Sequence, residues 1–207
     1  FDDENETLVH GNELLAEIGV AAGGPHDRTG YSVEAVARAL DGASPPVPSE
    51  DLTTAFDWFA GYLLLDALIG NTDRHQDNWA TIRSPAGRRL SPSFDHASCL
   101  GFQISDDERL ERLAGASNRS VGGYAARARS KFEGHPSPLH AALEAMALAT
   151  EQARRHWIDA LEQGPDLHEI VDDLPGERMS NAAKRFAAAL YVENLTSLSH
   201  PLRTMGT

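Results

Sequence analysis

The sequence is poor in cysteine and has no long apolar run. Its 207 residues include one cysteine, Cys99, which excludes an internal disulfide and a zinc site built from cysteines. No apolar run reaches the ~18 residues that a membrane-spanning helix needs, and no stretch has the pattern of a signal peptide. We therefore expect a cytoplasmic protein with no membrane insertion.

Positive charge is also scarce. Lysine and arginine number 18 against 31 aspartates and glutamates, which gives a net charge of −13, and the only lysines are Lys131 and Lys184. Such a field repels nucleic-acid backbones and anionic membranes, so we expect no direct binding of nucleic acid. With 41% apolar and 24% charged residues, the composition is that of a globular chain rather than a disordered or collagen-like one.

Hydrophobic periodicity predicts a mainly helical chain. Four stretches have apolar residues at helical spacing, namely 32–40, 53–69, 139–161 and 179–195. The strand signal is limited to 79–82 and 89–91, which flank a Ser-Pro-Ala-Gly turn and predict one hairpin. The fold class is therefore mainly α with a small β-hairpin. Helix 53–69 is expected to bury one face, and the residues from 199 onward to form a frayed tail.

The residues that carry chemistry are concentrated between positions 70 and 101. The loop 71–78, with the sequence NTDRHQDN, contains Asp73, His75 and Asn78, and the hairpin follows directly. The triplet Phe-Asp-His, centred on Asp95, comes after the hairpin. Because a hairpin returns its two ends to the same place, Asn78 and Asp95 are predicted to lie side by side, with Asp73 on the loop beside them.

These residue types suit phosphoryl transfer. An asparagine oxygen and an aspartate carboxylate are hard ligands of the kind that Mg²⁺ prefers, so Asn78 and Asp95 are the candidate metal-binding and nucleotide-binding residues. Asp73 is the candidate base for a hydroxyl nucleophile, and its spacing to Asn78 matches the Asp-x-x-x-x-Asn of protein kinases. His75 is a second catalytic candidate, whose alternative role is to hold the loop by bonding a backbone carbonyl. Arg74 is expected to pair with a nearby carboxylate.

The sequence Asp-Arg-His-Gln-Asp-Asn at 73–78, the hairpin after it, and Ser-Phe-Asp-His-Ala-Ser-x-Leu-Gly at 93–101 resemble the catalytic core of the HipA-like serine/threonine kinases. The phosphatidylinositol 3- and 4-kinases carry a similar Asp-Arg-His-x-x-Asn. The match is strongest over residues 55–102. The resemblance implies a kinase-like fold that uses ATP and Mg²⁺, with Asp73 as the base and Asn78 and Asp95 as metal ligands. It also implies a protein substrate and, for a toxin of a toxin–antitoxin pair, an antitoxin partner.

The chain is predicted to be the large lobe of such a kinase. Its parts are a connection from the hinge, a catalytic core, a helical subdomain and a tail, at 1–50, 51–102, 103–198 and 199–207. A kinase also needs a small lobe with a phosphate-binding loop and a strand lysine, yet both lysines follow Asp95 and no glycine-rich phosphate loop precedes Asp73. We therefore expect a small lobe in cis or in trans, docked near residues 1–8 and the site loop.

Three other functions stay open. A lipid kinase shares the loop, although the mixed charges of residues 106–112 favour a protein substrate. A pseudokinase or binding module would not need the intact set of Asp73, Asn78 and Asp95. A metal-dependent phosphohydrolase would need a His-Asp pair on a helix, whereas His26-Asp27, which is such a pair, lies in a loop rich in glycine and proline.

Overall fold

The structure is a computed structural model that describes residues 5–20, 28–115 and 119–205. Within these ranges the chain forms one small sheet and a helical body, as the fold-class prediction requires. The elements, in chain order, are β1 (Thr7–His10), α1 (Gly11–Glu17), α2 (Val33–Ala39), α3 (Ala55–Ile69), β2 (Ala80–Ser84), β3 (Gly87–Leu90), α4 (Asp106–Leu113), α5 (Val121–Ala125), α6 (Pro138–Leu148), α7 (Glu151–Glu162), α8 (Leu167–Asp172) and α9 (Asn181–Met205).

Helix α3 runs through the centre of the molecule and leads into the site loop. It begins with a capping box in which the Thr54 hydroxyl accepts from the Asp57 amide at 3.0 Å, and an Asp57 carboxylate oxygen accepts from the Thr54 amide at 3.1 Å. It ends at Gly70, whose φ of 65° is easily adopted by glycine. We expected one buried face, but α3 is buried on nearly all sides because α6 and α9 both pack on it.

The predicted hairpin is present and belongs to a three-stranded antiparallel sheet. β2 pairs with β3 and, on its other side, with β1, a strand that the sequence did not predict. β1 leads directly into α1, whose first amides, those of Gly11 and Asn12, donate to the carbonyls of Trp79 and Gln76 at 2.9 and 3.1 Å. The start of α1 thus fixes the end of the site loop.

The single helix expected over 139–161 is wrong, because the chain forms two helices, α6 and α7. Ala149 between them is extended, with ψ 158°. The Thr150 amide leaves the helical pattern to donate to a carboxylate oxygen of Asp57 at 2.9 Å, and Asp57 is only 1% exposed. A buried carboxylate must be hydrogen-bonded, and this requirement overrides the high helix propensity of the alanine-rich sequence.

The frayed tail expected over 199–207 is also wrong over the part that the structure describes. Helix α9 continues to Met205, and Leu198 and Leu202 are each 1% exposed. Packing against the core stabilises this last part of the helix despite Pro201. Residues 206–207 of the predicted tail, residues 1–4 of the predicted small-lobe interface, and His26-Asp27 lie outside the described residues. Within the described ranges, no helix combines the length and apolarity needed to cross a bilayer.

Candidate active site

A buried ion pair between Arg74 and Asp66 holds the site loop on the end of α3. Arg74 Nε lies 2.7 Å from Asp66 Oδ2, and Nη2 lies 2.8 Å from Oδ1. Asn71 Nδ2 donates to the same carboxylate at 2.8 Å. Burial disfavours the charged guanidinium, but hydrogen bonding and the charge of Asp66 together raise the pKa of Arg74 above its usual value. The expected pairing of Arg74 with a carboxylate is confirmed.

The same guanidinium joins the two ends of the hairpin. Arg74 Nη1 donates to the Asn78 carbonyl at 2.5 Å and to the Phe94 carbonyl at 3.4 Å. Arg74 Nη2 donates to the Ser93 hydroxyl at 3.0 Å. The Arg74 side chain therefore bonds Asn78, which lies two residues before β2, and Phe94, which lies directly before Asp95. The structure thus brings Asn78 and the Asp95 segment to the same place.

Asp73, Asn78 and Asp95 form the polar part of the site. Asn78 Nδ2 donates to the Asp73 carbonyl at 2.8 Å, which leaves its Oδ1 as an acceptor for an ion. Asp95 is exposed and has a φ of 56°, in the left-handed region that aspartate tolerates better than most residues. In the described ranges no three His, Cys, Asp or Glu side chains converge as a metal cage. An amide oxygen and one carboxylate nevertheless fit Mg²⁺, which takes its other ligands from water and phosphates.

His75 closes the turn that follows Asp73. Its Nδ1 accepts from the Asp77 amide at 3.2 Å and lies 3.6 Å from an Asp77 carboxylate oxygen. The alternative role predicted for His75 is to hold the loop by bonding a backbone carbonyl, but it is His10, at the end of β1, whose ring makes such a contact. His10 Nδ1 lies 2.9 Å from the Asp77 carbonyl, so the sheet and the site loop are directly hydrogen-bonded.

His96, after Asp95, is part of the same polar network. Burial and the positive charge of Arg74 lower the pKa of His96 below its usual value, which favours the neutral ring. Its Nε2 lies 3.0 Å from the Ser93 hydroxyl. His96 Nδ1 lies 3.8 Å from Asp66 Oδ1, which is too long for a hydrogen bond.

Lys131 is a site residue that the sequence analysis did not find. Its Nζ lies 3.0 Å from Asp73 Oδ1. The residue after it, Phe132, is 1% exposed and stacks on Tyr31 with ring centroids 4.4 Å apart. The Tyr31 hydroxyl in turn donates to the Arg74 carbonyl at 3.1 Å. A chain of buried contacts thus anchors the Lys131 segment to the site loop. The one feature of the sequence that draws attention to Lys131 is the scarcity of lysine.

A helical body, a hairpin, a loop with Asp73 and Asn78 before the hairpin, and Asp95 after it are the parts of the large lobe of a protein-kinase-like fold. Among solved structures, the crystal structure of the Helicobacter pylori proinflammatory kinase CtkA matches with a TM-score of 0.63 and 20% sequence identity. The match covers 100% of this chain and 73% of that one. At this identity the likeness shows the fold. Neither protein-family models nor curated proteins gave a match.

Proposed function

We propose that this chain carries out ATP- and Mg²⁺-dependent transfer of a phosphoryl group to a serine or threonine hydroxyl of a protein, as HipA-like kinases do. The observation that carries the proposal is the position of Arg74, which hydrogen-bonds the Asn78 and Phe94 carbonyls at once. These bonds support the proposal because they join the backbone of Asn78 to the residue before Asp95, and Asn78 Nδ2 also donates to the Asp73 carbonyl. The kinase-like fold of the chain supports the same function.

Each residue has a distinct role in this proposal. Asp73 accepts the proton of the attacking hydroxyl and orients it toward the phosphate. Asn78 and Asp95 hold Mg²⁺, which when bound neutralises the charge of the phosphates. His75 acts on the reaction through the loop, because its ring bonds the Asp77 amide and so fixes the turn on which Asp73 and Asn78 are presented.

The proposed enzyme also needs a small lobe. Phosphoryl transfer depends on positioning and on charge neutralisation around the phosphates, and neither lysine of this chain precedes Asp73. We propose that a small lobe, in cis or in trans, supplies the remaining phosphate contacts and that the isolated chain is a poor catalyst. An antitoxin partner and a cytoplasmic location are further expectations from the HipA-like resemblance.

Product analysis tests this function. The native assembly, defined as this chain purified from its own cells through a tag together with any bound partner, is incubated with labelled ATP and Mg²⁺. Lysate proteins and phosphoinositide vesicles are offered together, and mass spectrometry identifies the products. We expect phosphoserine or phosphothreonine on protein.

The Asp73→Asn assembly, purified in the same way, controls for contaminating kinases and is expected to give no product. Label on lipid alone would assign the site to a lipid kinase. Equal label from the wild-type and Asp73→Asn assemblies would contradict phosphoryl transfer by this chain.

A further inference from the structure

The segment that follows the hairpin has an unusual backbone. In the parts of the chain that the structure describes, the only non-glycine residues with a positive φ are Asp95 and Leu100, at 56° and 53°. Aspartate tolerates this left-handed region because its short polar side chain can hydrogen-bond locally, whereas leucine adopts it at a cost. Such a conformation persists only where the surrounding structure holds it. We therefore looked for the groups that hold Leu100.

Two contacts fix the backbone at and directly after Leu100. The Leu100 amide donates to the Ile69 carbonyl, at the end of α3, at 2.8 Å. Gly101 is buried against α9, since a Cβ on it would lie 2.4 Å from Cε1 of Phe186. The downstream end of the segment is thus packed between α3 and α9.

Arg109, in α4, adds hydrogen bonds to the same backbone. Its Nη2 donates to the Gly101 carbonyl at 3.0 Å and to the Phe102 carbonyl at 3.3 Å. Its Nη1 lies 2.6 Å from Asp106 Oδ1, and that oxygen accepts from the hydroxyl of Ser180, directly before α9, at 2.9 Å. The Arg109 side chain is only 13% exposed. Arg109 is therefore held in place by its own ion pair and is committed to the two carbonyls.

The upstream end of the segment is bound by Arg74, whose Nη1 donates to the Phe94 carbonyl. Asp95 thus lies between two points that arginines bind, Phe94 and Gly101. If the downstream point is released, Leu100 can return to an ordinary φ. Because a change in one backbone torsion redirects the chain around it, that relaxation would alter the direction in which Asp95 is presented.

We propose that Arg109 is a positioning residue that keeps Asp95 in the orientation that binds Mg²⁺. This role of Arg109 rests on the proposed kinase function, which assigns Asp95 as a ligand of the ion. Arg109 acts through the backbone of Gly101 and Phe102 and not on the ion. Loss of a residue that orients a metal ligand lowers metal affinity by about 10- to 100-fold in other proteins.

Hydrogen exchange of the native assembly tests the anchoring without any ligand. We expect Arg109→Met to speed exchange in peptides covering residues 96–104 by at least about tenfold, while α3 keeps its protection. The amides of Leu100, Phe102 and Ile104 in these peptides are hydrogen-bonded in the structure. Arg119→Met is the matched control, because it breaks an exposed pair with Glu111, and it should stay within about twofold of wild type. Unchanged exchange in Arg109→Met would overturn the proposal.

The Mg²⁺ requirement of nucleotide binding tests the consequence for Asp95. The native assembly is titrated calorimetrically with a non-hydrolysable ATP analogue at several Mg²⁺ concentrations. We expect Arg109→Met to raise the Mg²⁺ concentration for half-maximal binding about tenfold and to leave the affinity in EDTA within about twofold. Arg109→Lys keeps a charged donor and should recover part of the loss. A wild-type Mg²⁺ requirement in Arg109→Met would overturn the proposal even if exchange is faster.

Two further variants test the mechanism. Leu100→Asn introduces a residue that tolerates the left-handed region, so in that background Arg109→Met should raise the Mg²⁺ requirement by less than about threefold. A rise as large as in the wild-type background would contradict the proposal. Asp106→Asn removes only the charge that holds Arg109 Nη1. If Arg109→Met does not fold, Asp106→Asn should show both changes to a smaller extent, and wild-type behaviour in both measurements would overturn the proposal.

These outcomes differ from those that test the proposed function. If the native assembly phosphorylates protein while Arg109→Met keeps the wild-type Mg²⁺ requirement, the positioning role is wrong and the kinase function stands. If no acceptor is phosphorylated but Mg²⁺-dependent nucleotide binding weakens in Arg109→Met and not in Arg119→Met, the kinase function fails and the positioning of a metal ligand by Arg109 stands.

Discussion

Lys131 and Asp73 form an ion pair, with 3.0 Å between Nζ and Oδ1. Asp73 lies in the site loop, whereas Lys131 lies in the segment after α5. The pair directs an ammonium group to the carboxylate that we propose as the base. In this position Lys131 can orient Asp73 and can also stabilise the negative charge that develops during phosphoryl transfer. The small lobe that we propose would then not be the sole source of a lysine at the proposed reaction centre.

The first prediction concerns Lys131. We expect Lys131→Met in the native assembly to lower kcat about 100-fold and to change the KM for ATP little. Lys131→Arg keeps the charge and should retain more activity than Lys131→Met. The matched control is Lys184→Met, since Lys184 binds the Asp172 and Leu174 carbonyls away from the site. An unchanged kcat in Lys131→Met would remove Lys131 from the catalytic machinery.

The second prediction concerns the pair of Arg74 and Asp66, whose side chains are 4% and 3% exposed. Arg74→Met leaves a buried carboxylate without its cation and should lower the free energy of unfolding by about 3–5 kcal/mol. Arg74→Met/Asp66→Leu should recover part of that loss, because no buried charge then remains. Urea unfolding measures both effects. Arg155→Met breaks an exposed pair with Glu151 and should cost less than about 0.5 kcal/mol; similar losses in Arg74→Met and Arg155→Met would contradict the prediction.

The third prediction uses the close approach of α1 to the site loop. A Cβ on Gly11 would lie 2.1 Å from Trp79 Cε2 and 2.5 Å from the Gln76 carbonyl oxygen. Gly11→Ala must therefore displace the end of the site loop, and we expect an overpacking cost of about 1–3 kcal/mol and a lower Tm. A Cβ on Gly176 would meet open space, so Gly176→Ala is the control. A Tm for Gly11→Ala at or above that of Gly176→Ala would show that the contact is not tight.

The fourth prediction is a pH dependence at the contact of α2 with α6. Burial, and the hydrogen bond and charge of Glu34, raise the pKa of Glu144 to about 7. Because this folded-state pKa exceeds the unfolded one, the folded protein binds more protons between the two values, and Glu144 costs stability as the pH rises through 7. Glu144→Gln should therefore stabilise the protein at pH 8 by about 1 kcal/mol, and the gain should shrink toward pH 5.

His135 and His140 belong to the surroundings of this carboxylate pair. His135 contacts Glu144, and burial together with the charge of His140 lowers the pKa of His135. A histidine with a lowered pKa destabilises the folded state as the pH falls below about 6.5. The effect of His135 on stability therefore has the opposite pH dependence to that of Glu144. Urea unfolding of wild type and Glu144→Gln across pH 5–8 measures the pH dependence of the gain, which includes the contact of Glu144 with His135. A gain that is constant with pH would contradict the shifted pKa.

Local signals in the sequence were sufficient for α3, the hairpin and the site loop. The helical period of residues 53–69 marks α3, and the turn at residues 84–87 defines the hairpin. The helix break at Ala149 depends on the need of Asp57 for a donor almost a hundred residues away. The placement of Lys131 depends likewise on the stacking of Phe132 on Tyr31. Such contacts form between segments that are distant in sequence, so the hydrophobic period within one segment cannot predict them.

The fifth prediction separates the roles of the three site residues. Asn78→Ala and Asp95→Ala should weaken binding of Mg²⁺ with a nucleotide, because these residues are the proposed ligands of the ion. Asp73→Asn should leave nucleotide affinity within about threefold, because Asp73 addresses the hydroxyl and not the metal. Calorimetric titration of the native assembly with a non-hydrolysable ATP analogue and Mg²⁺ measures this, with Asp107→Ala, an exposed residue of α4, as the control.

The rate of phosphoryl transfer by the Asp73→Asn assembly at saturating ATP and Mg²⁺ tests the central claim most directly. In a single-turnover measurement with a protein acceptor, we expect the rate to fall by at least about 1,000-fold relative to wild type while nucleotide binding persists. A transfer rate within about tenfold of wild type, with the nucleotide still bound, would show that Asp73 is not the base and would contradict the proposed function.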